Sequence, residues 1–420
     1  MYDIVFVFLA ILYFPYLVIL GKWHPGFKTR FGCLGSVLAG RNEAQKCIWI
    51  HAVSVGEVLA ITDLIRKLKK EFPQHTIICS TVTKTGNQLA QEQLGGDCLV
   101  IYAPLDFSWT VRKFITTIKP AIYISTETEI WPNLYSALHK ASVPVIQING
   151  RISDKAYRGY NRVRVLTKRV LACVDIFCMQ SPLDADRIER LGAAPEKVRI
   201  VGNLKFDNVP GAAEIKKEDL GFGEDEDLLI AGSTHPGEED ILINAYHALI
   251  AGFPGLRLVI APRHIERADF VIGIVEKQGY HPIRFSEIKD HKGDTKSIVV
   301  VDTIGHLRNL YSLAKIVFIG KTLTVGGGQN MIESACLGKP TIVGPMTQNF
   351  KDVVAIFLKS EGLVQVDDPR ELLEEMRKLL SNPEKARAIG KAAQQTVENH
   401  QGATLKTIKE IRQLLGYENM

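Results

Sequence analysis

CIWIHAVSVGEVLAITDLIRKLKKEFPQHTIICS, Cys47 to Ser80, carries one complete unit of the fold. CIWIH and TIICS are short runs rich in β-branched residues. Between them, Val58 to Phe72 places apolar side chains at helical spacing, with a basic outer face. That face is a solvated surface or a contact with anionic lipid. The same short runs recur as CLVIY to Tyr102, AIYIS to Ser125, PVIQI to Ile148 and DIFCM to Met179, with helical patterns between them. Such alternation predicts a parallel sheet flanked by helices.

From Phe206 to Asp227 the pattern stops, in a stretch with Pro210, Gly211, Gly221, Gly223 and dense mixed charge. A second series follows: LLIAGS to Ser233, LRLVIAP to Pro262, SIVVVD to Asp302, KIVFIG to Gly320, PTIVG to Gly344 and GLVQVD to Asp367. The chain therefore reads as α/β, with two Rossmann-like domains and a ligand cleft between them at the C-terminal ends of their strands. The expected division is residues 1–30 as anchor and interfacial segment, 31–205 as first domain, 206–227 as linker and 228–420 as second domain. The closing helical segments, Pro383 to Glu398 and Ala403 to Leu415, are expected to return to the first domain.

No residue from Ile4 to Leu20 is charged, and the run is about the minimum length for a hydrocarbon core of roughly 30 Å. A secretory signal would have a basic segment before the run, where Asp3 stands, and a small-residue cleavage site after it, where Gly21-Lys22-Trp23-His24 stands. We expect a single uncleaved N-terminal anchor. Lys22, Lys28 and Arg30 just beyond it mark the following domains as cytoplasmic, and Trp23 and Phe27 suit the headgroup zone. Pro15 would kink the segment, and a kinked helix can also lie in one leaflet.

A net charge of +5 over 420 residues, with no basic block interleaved with aromatics, argues against a nucleic-acid partner. The seven cysteines form no CxxC pair and no zinc-like spacing, as expected of reduced, packed thiols. No GxGxxG or Walker sequence stands at a strand end, so no dinucleotide or other cofactor is expected. Asp184 and Asp186, and Asp225 and Asp227, are DxD-like, but the first pair opens a helix and the second lies in the charged linker. No metal site is assigned.

Chemistry-bearing residues gather after the strands. HAVSVGE, His51 to Glu57, puts a carboxylate in the first turn of a helix, either to complement the helix dipole or to take a proton from a hydroxyl. STETEIWPN, Ser125 to Asn133, holds Glu127 and Glu129 two apart, which is costly unless they are paired or functional. GNLKFD supplies Lys205, a surface charge or a neutraliser of leaving phosphate. In the second half, Arg263 of APRHIER can fork onto a phosphate. TVGGGQNMIES places Gly326 to Gly328 before Asn330 and a helix bearing Glu333, whose carboxylate can accept bonds from ribose hydroxyls.

Taken in order, HAVSVGE, ETEIWPN with NGRIS at Asn149 to Ser153, GNLKFD, STHPGEE, PRH and the glycine-rich NMIE segment resemble the 3-deoxy-D-manno-octulosonic acid (Kdo) transferases of lipopolysaccharide biosynthesis, over nearly the whole length. The resemblance implies a GT-B fold and inverting transfer of Kdo from CMP-Kdo to a lipid A precursor, lipid IVA, at the cytoplasmic face of a bacterial inner membrane. It implies Glu57 as general base, Glu127 and Lys205 as stabilisers of the transition state, and CMP contacts at Pro262, Arg263, Ile304, Gly305, His306, Asn330, Met331, Ile332 and Glu333. The sequence departs from the family pattern near the donor: His306 stands for glutamate, Gln329 for histidine, Met331 and Ser334 for proline, and Lys321 or its neighbour for glycine. The alternatives are a GT-B transferase with another acidic donor, or a nucleotide-sugar epimerase, which would need no anchor.

Overall fold

The computed structural model describes residue 3, residues 26–35, residue 38, and residues 45–207, 215–290, 296–324 and 326–417. The expected anchor, Ile4 to Leu20, lies outside them. Among the described residues no helix is long and apolar enough to cross a membrane. The chain divides into two compact units, Met1–Asn208 with His400–Met420, and Val209–Asn399.

The first unit is built on seven strands, β1 Cys47–His51, β2 Thr76–Thr81, β3 Leu99–Tyr102, β4 Pro120–Thr126, β5 Val145–Gly150, β6 Ile176–Met179 and β7 Val198–Ile200. They pair in the order β3-β2-β1-β4-β5-β6-β7, all parallel. A parallel sheet is covered on both faces. On one face Trp49 packs edge-on against Tyr123, with centroids 4.9 Å apart, and stacks near Phe114 at 6.0 Å. On the other, Ile48 and Ile50 meet Val58, Ile61 and Leu64 of the helix Val55–Glu71. The helix Ala403–Leu414 packs into this second layer through Ala403, Ile408 and Ile411, and Arg412 pairs with Glu71. Its start is fixed by Asp207, whose carboxylate accepts from the Gly402 and Thr404 backbone N–H groups at 2.6 and 2.5 Å.

The second unit repeats the plan with β8 Asp227–Thr234, β9 Leu256–Pro262, β10 His281–Arg284, β11 Ser297–Val300, β12 Ala314–Ile319, β13 Thr341–Val343 and β14 Val364–Gln365. Their order is β10-β11-β9-β8-β12-β13-β14, again parallel. In both sheets the order reverses beside the first strand of the series, the point where ligands collect at strand ends.

Gly390 lies inside the helix Pro383–His400, where alanine ordinarily stabilises by about 1 kcal/mol. Here a Cβ would stand 2.0 Å from the Gly338 carbonyl oxygen, so the helix is seated by the absence of a side chain. We expect Gly390→Ala to destabilise by about 1–3 kcal/mol, as overpacking does. A higher denaturation midpoint would show that the helix is free to shift.

Candidate active site

In the first unit the carboxylates collect where β1 and β4, neighbours in the sheet, end side by side, with His51 opposite Ser125. Glu57 sits in the first turn of the helix Val55–Glu71 and is buried. Its side chain folds back on the turn, accepting from the Val53 N–H at 2.8 Å and from the Ser54 hydroxyl at 3.0 Å. Those bonds favour the charged form. Burial, with Glu127 and Glu129 close by, outweighs them and pushes the carboxyl up to about 8. A helix-start residue serving only the dipole would gain nothing from two like charges around it.

Glu127 follows β4 with φ at 55°, the left-handed region, and its N–H donates to Ile148 O at 2.9 Å. A non-glycine residue held there costs of order 1–3 kcal/mol and is retained where the surroundings impose it. Glu129, two residues on, is pushed up to about 7 by burial and then by Glu127. Its carbonyl accepts from the Tyr135 hydroxyl at 2.6 Å, which fixes the loop. Lys205 lies in the short turn Leu204–Phe206, which packs on the helix that carries Glu57. Asn149 Oδ1 accepts from the Leu204 N–H at 3.0 Å and Asn203 Oδ1 from the Lys205 N–H at 3.0 Å, so the turn is held from β5 and from its own cap.

In the second unit Pro262 is buried at the end of β9, and the Arg263 N–H donates to Thr234 O at 3.0 Å, leaving the guanidinium exposed. Asn330 Nδ2 donates to Glu333 Oε1 at 3.0 Å, while its Oδ1 accepts from the Ile332 N–H at 3.1 Å. Burial raises the Glu333 carboxyl. The Asn330 bond and the charges of Arg308 and Arg263 oppose the rise, so both guanidiniums stand near it. Gly327 and Gly328 adopt positive φ, 129° and 75°, and bring bare backbone to the loop before Asn330. Met331 and Ile332, both expected at the CMP site, are fully buried, backbone included. Ile304 is 79% exposed, Gly305 takes φ of 93°, and the His306 ring lies 5.1 Å from Phe285. The helix Leu307–Leu313 that follows packs on Ile332–Ala335.

Two residues of this region escape sequence reasoning. Glu238, wholly buried, accepts from the His235 N–H at 2.9 Å and from the Lys321, Thr322 and Leu323 N–H groups at 2.8, 2.9 and 3.0 Å, clamping the loop after β12 to the turn after β8. Its one signal is an acidic residue directly after a left-handed glycine, Gly237, at a helix start. Arg308, with Nη2 3.4 Å from Cys336 Sγ, has no sequence signal beyond its charge. The DxD-like pairs have structural work: Asp184 accepts from the Ile152 N–H at 2.8 Å, Asp186 pairs with Arg190 at 2.9 Å and Asp227 with Lys315 at 3.3 Å. Among the described residues no cluster of three or more His, Cys, Asp or Glu side chains is arranged to hold a metal ion.

Two α/β units, one with carboxylates at its strand ends and the other with Arg263 and the Glu333 carboxylate after its strands, fit a nucleotide-sugar enzyme of the glycosyltransferase kind. The sequence profile for 3-deoxy-D-manno-octulosonic-acid transferase (kdotransferase) matches residues 25–208, and that for glycosyl transferases group 1 matches residues 227–396. The 3-deoxy-D-manno-octulosonic acid transferase of Haemophilus influenzae is 30% identical over 372 residues, 88% of this chain and 87% of that protein. Its counterpart from Bordetella pertussis is 29% identical over 406 residues, 94% of this chain and 93% of that one. The chain belongs to the Kdo transferase family. Among solved structures, a putative UDP-N-acetylglucosamine 2-epimerase from Listeria monocytogenes superposes with a TM-score of 0.56 at 14% identity, covering 90% of this chain and 98% of that one, a likeness of fold.

Proposed function

We propose that the protein transfers Kdo, with inversion, from CMP-Kdo to a lipid A precursor, lipid IVA, at the cytoplasmic face of the inner membrane, to which the apolar run Ile4–Leu20 attaches it. The observation that carries the reading is the carboxylate group at the ends of β1 and β4. A base with its pKa about 8 is matched to a proton taken from a hydroxyl near neutral pH. Glu57 takes the proton of the attacking acceptor hydroxyl, and Glu127 and Lys205 balance the charge that shifts as the bond to CMP breaks. On the second unit, Arg263 holds the phosphate and Glu333, positioned by Asn330, holds the ribose.

A lipid acceptor bearing anionic groups is supported beside the carboxylate loop. The Tyr160 hydroxyl donates to Thr128 O at 3.2 Å, which sets the helix Asp154–Arg162 against that loop. This helix and the next, Arg164–Leu171, carry Lys155, Arg158, Arg162, Arg164, Lys168 and Arg169, with Val163, Val165 and Leu166 exposed at 52, 72 and 46%. Positive charge with bare apolar side chains suits a phosphorylated, acylated sugar better than a soluble one.

The test is CMP release from purified enzyme given lipid acceptor and either CMP-Kdo or UDP-linked sugars. Release from CMP-Kdo alone is expected, and turnover of only the UDP sugars would overturn the reading. The rate is expected to persist in EDTA, because a single departing phosphate can be neutralised by Lys205 and Arg263 without a cation. Restoration of a chelated, inactive enzyme specifically by magnesium or manganese would contradict this. Arg263→Ala is expected to weaken CMP about 10–100-fold by calorimetry, the loss of one charged hydrogen-bonding pair. An unchanged affinity would remove Arg263 from the phosphate site.

A further inference from the structure

The helix Ser108–Ile118 buries Val111, Phe114 and Ile118, yet its outer face at the N-terminal end is not polar throughout. Trp109 is 53% exposed, its ring stacked 4.5 Å from that of Phe107, and Arg112 and Lys113 stand exposed beside it around a recess of about 370 Å³. The turn after the short helix Gly26–Arg30 lies against the same place, since a Cβ at Gly32 would stand 2.8 Å from Lys113 Cδ. That segment adds Phe31, 44% exposed, and Lys28, also exposed. A tryptophan, a phenylalanine and three cations on one open face is the composition of a headgroup-zone contact.

The chain on either side of the apolar run ends at this face too. Asp3, just before the run, accepts through Oδ1 from the Ser108 N–H at 3.2 Å and from Asn133 Nδ2 at 2.6 Å. Gly26, six residues beyond Leu20, opens the helix whose Arg30 carbonyl accepts from the Leu105 N–H at 3.1 Å. Ser108 and Lys113 are only about 7.5 Å apart along their helix. Asp3 and the helix Gly26–Arg30, the described residues that flank the uncharged stretch from Ile4 to Leu20, thus both meet the segment from Leu105 to Lys113. We propose that the face formed by Lys28, Phe31, Trp109, Arg112 and Lys113 is the membrane-docking face and rests on anionic lipid headgroups. The helix starts at the C-terminal edge of the sheet, the edge that carries Glu57 and Glu127, so docking there sets the carboxylates toward the lipid.

This inference deepens the membrane reading proposed above and rests on it. The full-length protein is presented to vesicles of phosphatidylcholine alone or with phosphatidylglycerol, and to vesicles with brominated acyl chains near the headgroup. Preference for the anionic vesicles by about tenfold or more is expected, with loss of that preference in the Arg112→Glu, Lys113→Glu double variant. Brominated lipid is expected to quench a tryptophan component that vanishes in Trp109→Phe. Both variants should turn over detergent-dispersed acceptor at the parent rate, showing that they fold. Full anionic preference in the double variant, or quenching unaltered by Trp109→Phe, would overturn the proposal. Intact vesicle docking without any transfer in detergent would uphold the docking face and sink the transferase reading instead.

Discussion

Glu57→Gln is expected to turn over CMP-Kdo about 10²–10⁴-fold more slowly than the parent, with CMP affinity unchanged. Glutamine keeps the size of the side chain and its contact with the Ser54 and Val53 turn but cannot take a proton. In the parent, kcat/KM should climb with pH to a plateau above about 8, because the base must lose the proton that burial and two neighbouring carboxylates hold on it. The variant should lose that limb. Stability moves the other way. A carboxyl raised from its ordinary value to about 8 leaves the folded protein holding a proton the unfolded chain releases, so stability falls as pH rises from about 4.5 to 8. Glu57→Gln should therefore melt higher than the parent at pH 9. A near-normal rate in the variant would reduce Glu57 to a helix-start residue and make Glu129 the candidate base.

Lys205→Ala is expected to lower kcat about 10²–10³-fold while the KM for CMP-Kdo changes little, the pattern of a charge that acts on the developing phosphate rather than on bound substrate. The turn that carries it is held by Asn149 and Asn203 through backbone bonds, so removing the side chain should leave the turn in place. Lys205→Arg, which keeps the charge, should recover part of the loss. A large rise in KM with kcat intact would instead make Lys205 a binding residue.

The long inner strands were legible because runs such as CIWIH and LRLVIAP are continuous in β-branched residues, as strands buried on both faces must be. Two edge strands were not. VRI at Val198–Ile200 has Arg199 and Ile200 exposed, and HPIR at His281–Arg284 mixes proline and charge, because an edge strand has only one neighbour to satisfy. The helix Pro369–Ser381 has no place in the sequence reading either, although Asp368 caps it and proline opens it. The cost of Glu127 beside Glu129 could be seen in the sequence, since both follow one strand. That Glu57 adds a third charge depends on β4 lying next to β1, a pairing between segments more than seventy residues apart that no local pattern encodes. Glu238 is hidden for the same reason: its partners Lys321 to Leu323 lie across the second sheet.

Transfer of Kdo to a lipid is tested most directly by the mass of the lipid acceptor after incubation with the purified protein and CMP-Kdo in EDTA. Acceptor heavier by whole Kdo residues is expected, formed together with CMP and absent with Glu57→Gln. Free Kdo accumulating with the acceptor mass unchanged would contradict it.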